Sequence, residues 1–113
     1  MSKAKQLIEE LQSEIQETLG LSEDKRQEIM DKLMKEFATM YNSGMGSKDL
    51  VSNMNQFGEM AGMSFSNALK FSDATDKVFK ALRKDGVDKV NSKDVLTLLK
   101  LALQGKIEQR KKA

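Results

Sequence analysis

Along most of this chain apolar residues recur every three to four positions, the period that gathers them on one side of an α-helix. Between residues 3 and 19, Leu7, Ile8, Leu11, Ile15 and Leu19 make one narrow stripe. Glu9, Glu10, Glu14 and Glu17 take the other face, and Gly20 offers the left-handed residue that closes a helix. So narrow a stripe resembles a coiled-coil seam of about two heptads. It predicts that residues 1–20 serve as an amphipathic self-association arm, with Ile8, Leu11 and Ile15 at an oligomer seam, beside a bundle domain of residues 21–113.

The same period predicts the remaining elements. A second helix starts at a Ser22 cap, with Glu23 and Asp24 at the positive end of its dipole. It buries Ile29, Met30, Leu33, Met34, Phe37, Met40 and Tyr41 and stops at the loop NSGMGS, residues 42–47. A third starts at Ser47 and places Leu50, Val51, Met54, Phe57, Ala61, Phe65, Ala68 and Leu69 on one face. It runs to Phe71 as one helix, or as two if it breaks near Gly62–Ser64. A fourth, capped by Ser72, buries Ala74, Val78, Phe79 and Leu82, and Gly86 ends it. Asn91 caps a fifth, with Asp94 three residues on and Val90 placed to staple onto Val95. Its apolar residues, Val95 to Leu103 and Ile107, leave a polar strip of Lys93, Thr97, Lys100 and Gln104. Such a helix is the centre of a bundle or half of an oligomer interface. The fold expected is an all-α bundle of about five helices.

Composition supports that class. Of 113 residues none is proline, and Lys, Glu, Gln, Met, Leu and Ala, which lose little on entering a helix, are plentiful. Cysteine and histidine are absent. That excludes disulfides, thiolate nucleophiles, imidazole bases and the usual zinc ligands, and leaves carboxylates, lysine and serine for any catalysis. Paired acids such as Glu9–Glu10 lie on exposed helical faces, with no apolar pocket to separate their pKa values. SGMGSK lacks the residue order and preceding strand of a phosphate loop. Asp85, Asp88, Asn91 and Asp94 outline a calcium loop, but alignment on Val90 puts Arg83 at the first ligand position. No enzyme, metal, cofactor or small-molecule substrate is expected. The N-terminus lacks a signal peptide's apolar core, and LTLLKLAL is too short to span a bilayer, so a cytoplasmic location with no membrane contact is expected.

Two features point to partners. Met60 and Met63 fall off the predicted stripe, among Asn53, Gln56, Glu59 and Asn67, with Phe71 near Met60. Unbranched, polarisable methionines on a polar face suit an adaptable protein-binding patch, while a break at Gly62 would turn them into the core. Charge is also segregated. From residue 77 onward there are eleven Lys and Arg against four Asp and Glu; before it, eight against thirteen. Lys77, Lys80, Lys84, Lys106, Arg110, Lys111 and Lys112 form a candidate nucleic-acid surface. Phe79, the aromatic residue among them, belongs to the buried stripe and so gives no stacking platform, and Asp73–Lys77 and Asp76–Lys80 have the spacing of internal pairs. The leading expectation is a small, oligomeric, non-enzymatic protein-interaction module; the alternative is a nucleic-acid-binding accessory protein.

Overall fold

Glycines divide the chain into its helices. The computed structural model describes residues 3–21 and 26–107. The Ser22 cap with Glu23 and Asp24, and the cations Arg110, Lys111 and Lys112, lie outside the described residues. Within them are α1 (Lys3–Leu19), α2 (Arg26–Asn42), α3 (Ser47–Met60), α4 (Phe65–Lys84) and α5 (Ser92–Leu103), and no strand.

The segment from Ser47 to Phe71 is two helices. The N–H of Met63 donates to the Gly58 carbonyl at 3.1 Å and that of Gly62 to Glu59 at 3.0 Å, with Gly62 at φ +98°. This Schellman pair needs a left-handed residue at its centre and folds the next residue back against the last turn. The same pair of bonds closes the other four helices, where Leu21, Met45, Val87 and Lys106 follow the glycine. The chain therefore restarts at Ser64, whose hydroxyl accepts from the Asn67 N–H at 3.2 Å. Ser72, expected as that cap, lies inside α4, because no glycine or proline interrupts the helix beyond Ser64. Gly46, not Ser47, occupies the N-cap of α3. At α5 the Asn91 side chain does cap, accepting from the Asp94 N–H at 2.9 Å.

The five helices share one core. α5 lies among α1, α2 and α4, with Val95, Leu96, Leu99 and Ala102 buried, and α3 packs on α2 and α4. The radius of gyration, 13.4 Å, is close to the roughly 13 Å of a single domain this long.

α1 belongs to that core. Leu11 and Ile15 are buried in this chain, Ile8 is partly buried, and Leu7 is left exposed. Two glutamines fix the helix in place. Gln12 Nε2 donates to Asp31 Oδ1 of α2 at 2.7 Å, and Gln16 donates Nε2–H to the Leu21 carbonyl at 3.0 Å while its Oε1 accepts from Arg26 Nη1 of α2 at 3.4 Å. The stripe expected to face another copy thus faces the chain's own bundle. Its narrowness reflects a helix packed at the edge of a small core, with the buried glutamines satisfied beside it.

The other end is held around Tyr41. Its ring stacks on Phe37 and meets Phe79 edge-on, with the Arg83 guanidinium 4.3 Å from its centroid. Its hydroxyl donates to the Val87 carbonyl. Next to it, Asn42 exchanges two bonds with the Val90 backbone, at 2.9 and 2.8 Å, and Lys89 donates to the Asn42 carbonyl at 2.7 Å. The segment read as an outline calcium loop is thereby pinned to the end of α2. Burial raises the Tyr41 pKa; the Arg83 charge opposes this and Asp88 adds to it.

Candidate functional site

The break after α3 sends its two methionines in opposite directions. Met63, the residue after Gly62, folds back over α3 and is 7% exposed. Gly58 makes room for it: a Cβ there would lie 2.9 Å from Met63 Sδ and 3.2 Å from Phe71 Cδ2. Phe71 is fully buried. The expected exposed patch of Met60, Met63 and Phe71 is therefore not assembled. Met63 and Phe71 are core residues at the α3–α4 contact, and Met60 alone is on the surface, at 80% exposure.

Met60 lines something else. The last turns of α3 and the start of α2 leave an open groove of about 280 Å³, lined by Ile29, Lys32, Leu33, Phe57, Met60 and Ala61. Leu33 is buried, while Ile29, Phe57 and Ala61 are partly buried and pack against the core. The walls are apolar except at Lys32, which has no ion-pair partner among the described residues. The sequence alone does not reveal the contribution of α2. Ile29 and Leu33 look like ordinary core positions in the sequence, and the opening depends on how α2 and α3 meet.

Phe65 and Leu69 are exposed as well, at 74% and 51%. They were expected on the buried stripe with Leu50 and Ala68. That stripe assumed one continuous helix; the turn at Ala61–Ser64 resets the phase, so α4 buries Ala68, Phe71 and Thr75 instead.

The basic residues are partly committed within the chain. Lys77 pairs with Asp73 at 3.2 Å, Lys80 with Asp76 at 3.0 Å, and Lys100 reaches Glu14 of α1 at 2.8 Å. Arg83 covers the Tyr41 and Phe79 rings. Lys84 and Lys106 are exposed. A second cleft, about 430 Å³, lies between α1, α2 and the start of α5; it mixes Lys5 and Lys93 with Glu9 and Asp31. Charges of both signs give it no single ligand preference. Among the described residues no helix is long and apolar enough to cross a membrane.

No known protein family, curated protein or solved structure matches the chain.

Proposed function

We propose that this protein is a small, non-enzymatic interaction module that receives an amphipathic helix of another protein in the groove between α2 and α3. The observation carrying this reading is the exposed Met60 at the wall of an apolar groove whose described lining carries one charge, Lys32. A pocket of this size, open along one side, suits side-chain anchors on a helix better than a small molecule that must be mostly enclosed. Methionine at the wall adapts its shape to the anchor. The ammonium of Lys32, unpaired among the described residues, favours an anchor row flanked by a carboxylate.

A second contact is proposed between copies of the chain. Phe65 and Leu69, one turn apart on α4, are a better candidate for it than α1, whose Leu11 and Ile15 are used internally. The nucleic-acid reading has less support, because Lys77 and Lys80 are already paired and no aromatic platform accompanies them.

Met60→Glu tests the main reading. The charge falls on an exposed side chain, so stability is expected to change by no more than about 0.5 kcal/mol. Capture of a discrete protein from nuclease-treated extract of the source cells is expected for the unaltered chain and lost in the variant. Equal capture by both removes the groove from the reading. If Lys84→Glu abolishes capture and nuclease does too, the basic surface takes its place.

A further inference from the structure

The groove wall includes a thioether, and its surroundings set it apart from the others. Among the described residues Met30, Met34, Met40, Met54 and Met63 are buried. Met45 is partly buried, and its sulfur accepts from Asn53 Nδ2 at 3.6 Å. Met60 is 80% exposed. An oxidant must reach the sulfur, so the buried methionines react only in molecules that have opened locally.

We propose that Met60 is a site of oxidation by hydroperoxides, and that its sulfoxide closes the groove to apolar anchors. The reaction is a two-electron oxygen transfer. A sulfur lone pair takes the distal oxygen of hydrogen peroxide, the S–O bond forms as the O–O bond breaks, and the departing hydroxide leaves as water once it takes up the transferred hydroxyl's proton. Sulfur is oxidised and peroxide is reduced to water. The product replaces an apolar, flexible side chain with a polar one. Its oxygen is a strong acceptor; of the described lining residues Lys32 alone carries a side-chain donor, and Ile29, Leu33, Phe57 and Ala61 offer none. Whether it is bonded to water or to the Lys32 ammonium, an apolar anchor that displaces that partner loses affinity. Because Met60 ends α3 and packs little, the change leaves the core in place. The switch rests on the groove being the docking site; the selectivity of oxidation does not.

The test treats the full chain with dilute hydrogen peroxide and follows each methionine by peptide mass mapping. In parallel, anilinonaphthalene sulfonate is titrated as the groove probe, since it joins apolar rings to an anion suited to Lys32. Met60→Leu, which keeps an apolar wall and cannot oxidise, is the control. Sulfoxide is expected at Met60 about ten-fold or more faster than at Met54 and Met63, with the unfolding midpoint unchanged. Dye affinity is expected to fall about three-fold or more after oxidation of the unaltered chain, and to hold in Met60→Leu. Comparable oxidation rates across the methionines overturn the site. Unchanged dye affinity despite oxidation of Met60 overturns the switch. If the unoxidised chain does not bind the dye at all, the groove reading itself fails and the switch goes with it.

Discussion

At Gly58 and Gly62, four residues apart, glycine is needed for different reasons. Gly58 is helical, and a side chain there would press on Met63 and Phe71. Alanine gains roughly 1 kcal/mol of helix propensity against a contact that Met63 can relax, so it is expected to be nearly neutral. Gly58→Val adds branching where no room remains and is expected to cost about 1–3 kcal/mol by denaturant unfolding. The two methionines should separate in the same assay. A charge at buried Met63 is expected to cost several kcal/mol, roughly 3 or more, while Met60→Glu stays within about 0.5. Equal costs would mean that both share one environment. Tyr41 gives a residue-scale pH prediction. Its pKa is raised in the fold, so the stability it contributes is complete below the unfolded value near 10 and is lost as pH rises through the folded value. The chain has one tyrosine and no tryptophan, so tyrosinate absorbance reports this group directly. Its midpoint is expected above 10 in the folded protein, and stability should fall with it. Titration at or below 10 would contradict the buried hydroxyl.

At the scale of elements, the helix ends carry the lesson. The apolar period marks all five helical regions, and Gly20 and Gly86 are legible as stops. The third and fourth helices were harder, because Leu50 through Leu69 keep helical phase straight across Gly62. The overlooked signal is a glycine followed at once by an apolar residue: Gly20–Leu21, Gly44–Met45, Gly62–Met63 and Gly86–Val87. Read together, those pairs mark four Schellman closures, explain Met63, and make Ser64 the next cap. The groove was not legible in this way, since it depends on the angle at which α2 meets α3 and not on any local pattern. Gly62 has open space where a Cβ would go, so its requirement is conformational. Gly62→Ala is therefore expected to cost about 1–2 kcal/mol from the left-handed backbone alone, and Ser64→Ala about 1 kcal/mol from the lost cap. A Gly62→Ala chain as stable as the original would mean that the turn is not closed this way.

For the molecule as a whole, burial reassigns surfaces that the sequence had offered. α1 is part of the bundle, held by Gln12 and Gln16, and three cations of the basic third, Lys77, Lys80 and Lys100, are paired with Asp73, Asp76 and Glu14. Among the described residues the large apolar side chains left exposed are Met60 at its groove, Phe65 and Leu69 on α4, and Leu7 on α1. If copies associate, sedimentation should show that association lost in a Phe65→Ser, Leu69→Ser double variant and retained in Leu7→Ser. The reverse pattern would return the contact to α1. The central claim, that the α2–α3 groove receives another protein, is tested most directly by placing a photo-crosslinking residue at position 60 and, separately, at position 84, and irradiating each in native extract. The account predicts a discrete protein adduct from position 60 that survives nuclease, and none from position 84. Adducts from position 84 alone, to nucleic acid or to proteins released by nuclease, would contradict it.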